Sequence, residues 1–284
     1  MKGVVAQKLS LLEFIEQLAP ESSKNTLRSW IAAGRVRVCG ERVEKANARV
    51  LPGQEVIIGS KPIFIGNAIR IVYEDREIVV LEKPAGLLSV ETDFEKETTV
   101  HAILKRRLKG RQVFPVHRLD RETSGIMLFA YTESARDALK DQFEERLIDK
   151  TYRAVVEGAL TPALGIWESY LEEDEFYRVS STIHPERGKL AVTRYEVVKS
   201  NPRYSLLSLK LETGRKNQLR VHCADAGYPI AGDSKYGAGT DPADRLCLHA
   251  HRIVFAHPQT GKSLVFESPI PVSFTKLFSL SVKS

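Results

Sequence analysis

Five apolar residues, Ile126-Met127-Leu128-Phe129-Ala130, form an unbroken run that belongs in a fold interior, and Thr123-Ser124-Gly125 bounds it on the N-terminal side. A run this short, entered through turn residues, reads as a buried strand. Just ahead lies Pro115-Val116-His117-Arg118-Leu119-Asp120-Arg121-Glu122, which sets Asp120 among His117, Arg118 and Arg121. A loop anchored on a core strand is where scaffolds present chemistry. An Asp before a turn also has a plain structural use, because its side chain caps backbone N–H groups. Ion pairs, too, perturb carboxylates without any catalytic role.

At 284 residues the chain has room for one large domain plus a small one, or for two of medium size. Its 43% hydrophobic and 27% charged residues are those of a globular rather than a disordered chain. No apolar run reaches the roughly eighteen residues a membrane-spanning helix needs, so no membrane partner is expected. Met1 to Lys8 carries no cleavage-site pattern and does not read as a signal peptide. Cys39, Cys223 and Cys247 are odd in number and widely spaced, which favours neither a disulfide framework nor a zinc ribbon and points to the reducing cytoplasm. His249 and His251 alternate on a strand and so face opposite ways; no metal site is expected. Thr260-Gly261-Lys262-Ser263 imitates the end of a phosphate-binding loop, but Ala256 stands where glycine is required. Gly237-Ala238-Gly239 lacks its third glycine, so no nucleotide cofactor is expected.

The net charge of +6 is unevenly placed. Lys24, Arg28, Arg35, Arg37, Arg42, Lys45 and Arg49 face only Glu41 and Glu44 in their stretch. A second cluster, including Lys105, Arg106, Arg107 and Arg111, runs up to Asp120, whereas Glu168 to Glu175 is acidic. One such cluster is often a solvated face, but two flanking a candidate site suggest a polyanionic partner.

In chain order, Leu11, Phe14, Ile15 and Leu18 make one helical stripe that Pro20 ends. Ser22 or Ser23 caps a second helix carrying Leu27, Trp30 and Ile31, with Gly34 as its stop. The strand Arg35–Val38 and the short strand Glu55–Ile58 complete a small αβ module within residues 1–60. Residues 61–70 read as a linker to a larger domain, 71–284. There Ile71–Asp75 and Ile78–Glu82 pair around an acidic turn, and Val100 to Leu108 forms a basic helix. Thr132 caps a helix with Ala135, Leu139, Phe143 and Leu147 on one face. Lys150 to Gly158 is a strand, Leu206 to Leu211 alternates as another, and Thr213 to His222 passes from strand into helix. Pattern alone gives α+β.

His117-Arg118-Leu119-Asp120-Arg121-Glu122-Thr123-Ser124-Gly125 resembles the H-R-L-D-x-x-T-S-G signature of RluA-type pseudouridine synthases at every fixed position. Lys83-Pro84-Ala85-Gly86 is similar to that family's K-P-x-G element, with Lys83 a candidate phosphate contact. Lys150-Thr151-Tyr152-Arg153-Ala154-Val155-Val156-Glu157-Gly158 resembles its K-x-Y-x-A-x-V-x-G motif. Thr213-Gly214-Arg215-Lys216-Asn217-Gln218-Leu219-Arg220-Val221-His222 resembles its third motif, with Asn217 where His is usual. Asn hydrogen-bonds but carries no proton charge at neutral pH, so that position is read as orienting a neighbour. Over residues 9–59, Leu27, Trp30, Ile31, Gly34, Val36, Val38, Gly40, Leu51, Gly53 and Val56 are similar to a small RNA-binding domain first named from ribosomal small-subunit protein S-four. Lys24 and Cys39 stand where that domain commonly has Arg and Asn.

The resemblance implies an α+β fold: a small N-terminal αβ RNA-binding domain, then a catalytic domain with a mixed, mainly antiparallel sheet and flanking helices. It implies isomerisation of uridine within RNA, needing neither cofactor nor metal, with Asp120 catalytic, Tyr152 against the base and Arg220 as salt-bridge partner of Asp120. An Arg there favours the charged carboxylate. Arg118 is the candidate wedge for the place a flipped base vacates, and Leu248 is a candidate floor of the base pocket. Arg121, Lys24, Arg28, Arg35, Arg37, Lys105, Arg106, Arg107 and Arg111 are candidate RNA contacts. The expected partner is RNA, ribosomal before transfer RNA, and the expected state is a monomer. A non-catalytic RNA-binding or assembly factor is the alternative. An Asp-nucleophile hydrolase would need a second acid–base group that the sequence does not offer.

Overall fold

The computed structural model describes residues 1–43, 45–59, 63–66, 68–92 and 95–279. The chain forms two compact units, Met1–Ile63 and Phe64–Ser284.

In the first unit, Ser10 caps helix Leu11–Leu18 through a reciprocal capping box with Glu13, and Ser23 caps helix Lys24–Ala32. Leu11, Phe14, Ile15, Leu27 and Ile31 are buried, as the apolar spacing predicts, and meet Val36 and Val56 from the sheet. That sheet runs in the order Lys2–Val4, Glu55–Ile58, Val36–Val38, Glu41–Arg42. Its first strand was not foreseen: Lys2–Val4 is too short and too polar for periodicity to register it.

The second unit is built on a twelve-stranded sheet. From one edge the order is Val179–Thr182, Leu164–Glu173, Lys189–Ser200, Tyr204–Leu211, Asp149–Glu157, Leu248–Ala256, Ser124–Ala130, Ile78–Lys83, Ile69–Glu74 and Ile63–Ile65. Phe114–Pro115 and Ser263–Glu267 attach as side strands. The recorded pairings are antiparallel except for Ser124–Ala130 with Leu248–Ala256, which run parallel through Ser124 opposite His249 and Gly125 opposite Ala250. The fold is therefore α+β with a mixed, mainly antiparallel sheet.

Two sequence expectations change here. Much of the presumed linker is strand: Ile63–Ile65 is one, and Ile69 and Arg70 open another, while positions 60–62 and Asn67 lie outside the described residues. Ile69 and Ile71 alternate into the core, a period-two signal split from Ile63 and Ile65 by Gly66. Leu147 does not close the stripe of helix Glu133–Glu144: the chain turns at Arg146, whose φ is +60°, and leaves Leu147 exposed.

The Ser124–Ala130 strand is buried at every residue. Ser124 and Gly125 belong to it rather than to a turn; the turn lies at Arg121–Glu122. Gly125 has φ +119°, and a Cβ there would run into the backbone of Ala250. Its glycine is needed for close approach of the two parallel strands.

Candidate active site

Asp120 lies on the loop between Phe114–Pro115 and Ser124–Ala130, and two buried side chains pin that loop on either side of it. Ser89 Oγ donates to the Leu119 carbonyl (2.6 Å) and accepts from the Leu119 amide (3.0 Å). Lys83, only 1% exposed, donates from Nζ to the carbonyls of Pro84 (3.0 Å), Leu87 (2.6 Å) and Arg121 (2.9 Å). Lys83 is thus no surface phosphate contact. Burial lowers its pKa to about 7, while three carbonyl acceptors suit the three donors of an ammonium. The Thr123 amide closes the turn on the Asp120 carbonyl at 3.1 Å.

Behind the loop, Ser124 Oγ accepts from Arg245 Nη2 (2.9 Å) and pairs with His249 Nδ1 (2.7 Å); His249 Nε2 pairs with Ser268 Oγ (3.0 Å). Both ring nitrogens of His249 thus face hydroxyl groups, each able to donate or accept. Arg245 Nη2 also donates to the Leu248 carbonyl at 3.1 Å, tying the two parallel strands together.

Asp120, Tyr152, Arg220, Leu248 and Arg118 all line one cavity of about 210 Å³, from four separate segments of the chain. Tyr152 is buried on strand Asp149–Glu157, and its pKa is raised by burial first and by the Asp120 charge second. Leu248 is 4% exposed. Arg118 is exposed, and among the described residues no side chain pairs with its guanidinium.

Arg220 lies within ion-pair distance of Asp120, as expected, but its shorter contacts go to another carboxylate. Its Nε and Nη2 form a bidentate pair with Asp233 Oδ2 (2.7 Å) and Oδ1 (2.6 Å), leaving Nη1 3.9 Å from Asp120 Oδ2. Burial opposes the Arg220 charge, but the Asp233 hydrogen bonds and the Asp233 and Asp120 charges outweigh it and raise its pKa. Asp233 was missed as a site residue, although it lies in the sequence run Gly232-Asp233. Its burial is the signal, and sequence does not show burial for a lone Asp.

Helix Gln218–Asp225 carries Arg220, and the Gln218 side chain anchors its start. Gln218 Oε1 accepts from Thr213 Oγ1 (2.7 Å) and the Arg215 amide (3.0 Å), and Nε2 donates to the Val192 carbonyl (3.0 Å). Asn217 precedes the helix at φ +53°, a conformation Asn tolerates well. Its Nδ2 donates to the Tyr236 hydroxyl at 3.0 Å, and the Tyr236 ring lies 4.8 Å from the Arg220 guanidinium carbon. Asn217 therefore orients the aromatic face on which Arg220 rests.

The remaining candidate contacts separate into free and engaged groups. Arg107 forms a bidentate pair with Glu74 (2.6 and 2.8 Å), so its fork is occupied. Arg106 donates to the Glu97 carbonyl (2.9 Å), Lys105 meets Glu91 at 3.4 Å, and Arg111 lies over the Tyr131 ring. In the first unit Arg35 stacks 4.1 Å over Trp30 and donates twice to the Gly59 carbonyl, and Arg37 donates to the Gly40 carbonyl at 2.9 Å. Lys24 and Arg28 are exposed; Lys24 makes a surface pair with Glu16 at 3.5 Å and Arg28 reaches Asn25 at 3.4 Å. Arg121 is exposed beside Asp120.

A family model described as RNA pseudouridylate synthase matches residues 77–225, a span that includes Asp120, Tyr152 and Arg220. The chain is 32% identical over 289 residues to ribosomal large subunit pseudouridine synthase D of Neisseria meningitidis serogroup B, covering 94% of this chain and 77% of that one. It is 33% identical over 271 residues to an uncharacterized RNA pseudouridine synthase of Bacillus subtilis, covering 91% and 89%. Among solved structures, human RNA pseudouridylate synthase domain containing 4 is similar at a TM-score of 0.60 and 26% identity, over 72% of this chain and 90% of that one. The chain belongs to the RNA pseudouridylate synthase family.

Proposed function

We propose that this isomerase converts uridines of structured RNA, first among them large-subunit ribosomal RNA, to pseudouridine with Asp120 as the nucleophile. Pseudouridine formation breaks the N1–C1′ bond, turns the base and rejoins it through carbon 5, which gives up its proton; apart from that exchange no atom is gained or lost. One ionised carboxylate can open this sequence as a covalent nucleophile. The observation that carries the reading is the pairing of Arg220. Asp233 holds two of its nitrogens and leaves the third 3.9 Å from Asp120. At that distance the guanidinium faces the carboxylate without closing a bidentate pair that would tie up both its oxygens. Tyr152 and Leu248 supply apolar walls for a planar base. The uridine must leave its stack to enter, and the exposed Arg118 is suited to fill the gap. Asn217 acts by orientation, through Tyr236.

Support for the ribosomal target comes from the relatives named ribosomal large subunit pseudouridine synthase D, at 32% identity. The first unit is read as an S-four-like RNA-binding domain, with the exposed Lys24 and Arg28 on helix Lys24–Ala32 as its phosphate contacts. The test is a map of pseudouridines in total RNA from a strain lacking the gene, complemented with wild type or Asp120→Asn. Sites missing from large-subunit ribosomal RNA and restored only by wild type are expected. Sites missing from transfer RNA alone would overturn the target, and restoration by the variant would overturn the role of Asp120.

A further inference from the structure

A second, larger cleft of about 820 Å³ adjoins the pocket, and the two share Arg118, Tyr152, Leu211, Gly214 and Arg215 as a common wall. We propose that this cleft is a phosphate subsite in which Lys150, with Arg146 at its rim, holds the RNA strand flanking the uridine in the pocket. The inference rests on the reading of that pocket as the place where uridine is isomerised.

The charges on the cleft wall carry it. Asp149 pairs through Oδ2 with Lys210 at 2.9 Å and Arg252 at 3.9 Å, its Oδ1 being buried without a hydrogen bond among the described residues, and Glu212 pairs with Arg194. Glu144 is exposed at the end of its helix. Among the described residues no carboxylate pairs with Lys150, Arg146 or Arg118. Lys150 is half-buried, its Nζ lies 5.0 Å from the centre of the Phe143 ring, and burial lowers its pKa. A shielded ammonium without a counter-charge is costly, and an anionic oxygen offsets that cost. Phe143 gives only the weaker attraction of a ring face.

Position selects the ligand. Lys150 and Tyr152 are two residues apart on one strand, whose pairing with Leu248–Ala256 shifts register between Thr151 and Tyr152, and both line the cleft. The ammonium stands 3.7 Å from where a Cβ on Gly214 would lie, against the wall shared with the pocket. A nucleotide whose base enters the pocket past Tyr152 thus brings a backbone phosphodiester to Lys150. Arg146, in the left-handed turn that follows the helix, presents a second cation along the same path.

The test is equilibrium binding of a uridine-containing RNA across a series of salt concentrations, for wild type, Lys150→Gln, Lys150→Arg and Arg146→Gln. Lys150→Gln is expected to weaken binding several-fold at low salt and to flatten the slope of log affinity against log salt by about 0.7, the value for one single-strand phosphate contact. Lys150→Arg should keep the wild-type slope, and Arg146→Gln should flatten it less. Unchanged slopes in both Gln variants would overturn the subsite; should Lys150→Gln fail to fold, the Arg146→Gln slope decides in the same way. Inorganic phosphate provides a second arm: its binding lost in Lys150→Gln while the RNA slope stays unchanged would assign a free anion and overturn the RNA strand. Binding is read without turnover, so a wild-type protein that isomerises no uridine would sink the synthase reading separately.

Discussion

Replacing Asp233 by Asn removes one negative charge from a site where the Asp233 side chain is 1% and the Arg220 side chain 13% exposed. The amide can accept one of the two hydrogen bonds, but its NH2 then faces an Arg220 N–H, donor against donor. Breaking one side of a buried ion pair costs about 3–5 kcal/mol, because the remaining charge loses its bidentate partner and must reorganise to find another. For a domain of this size each kcal/mol lowers the melting temperature by about 2–4 °C, so a fall of about 10 °C is expected. Among the described residues, the only other carboxylate paired with Arg220 is Asp120. Freed from Asp233, the guanidinium closes on Asp120, and single-turnover isomerisation should slow more than tenfold while RNA affinity moves less than twofold. Arg220→Met combined with Asp233→Leu removes both charges, and the double-mutant cycle should return about 3 kcal/mol of coupling. Melting of Asp233→Asn within a degree of wild type, or additive single effects, would refute the claim that this pair holds Arg220 away from Asp120.

Gly125→Ala puts a Cβ into the Ala250 backbone at φ +119°, and thermal melting should show a loss of about 4 kcal/mol or more; a variant as stable as wild type contradicts the close-approach reading. Lys83→Met strips the carbonyls of Pro84, Leu87 and Arg121 of their donor, at about 1–3 kcal/mol for each one left buried and unpaired. Hydrogen exchange of the Thr123 amide should quicken as the Asp120 turn loosens, and unaltered protection would count against Lys83 as the pin. His249 and His222 fold with pKa values of about 3 and about 4, mainly because burial disfavours imidazolium. Unfolding lets both take up protons below their ordinary value of 6.5, so stability falls as pH drops from about 6.5 towards 4, by up to about 1.4 kcal/mol per unit for each. Melting that stays flat between pH 6.5 and 5 would be at odds with both.

The site residues legible in the sequence were those whose chemistry is local. Asp120 stood out because three cationic or titratable neighbours and a core strand surround it within a few positions, and the apolar run after it is buried throughout. Helix caps at Ser23 and Thr132 follow from side-chain to backbone bonds three residues long, which a sequence displays directly. What stayed hidden depends on contacts between distant segments. Lys83 reads as a surface cation until three carbonyls, one of them 38 residues away, are seen around it. Asp233 has no mark of its role in the sequence, because its partner Arg220 arrives from a helix 13 positions earlier. Gly125 looks like a turn glycine because φ above zero is common to turns and to close strand approach, and only the Ala250 backbone separates the two. The strand at Ile63–Ile65 was lost for the reverse reason: its alternation breaks at Gly66 before enough positions accumulate to mark a strand.

The most direct test of the account is release of tritium from carbon 5 of uridine-labelled RNA, measured in single turnover for wild type and for Asp120→Asn. Isomerisation through carbon 5 must expel that tritium, and without its nucleophile the variant should lose at least about a thousandfold in rate while still binding the RNA. Release by Asp120→Asn at a rate near that of wild type would contradict the assignment of Asp120 as the nucleophile.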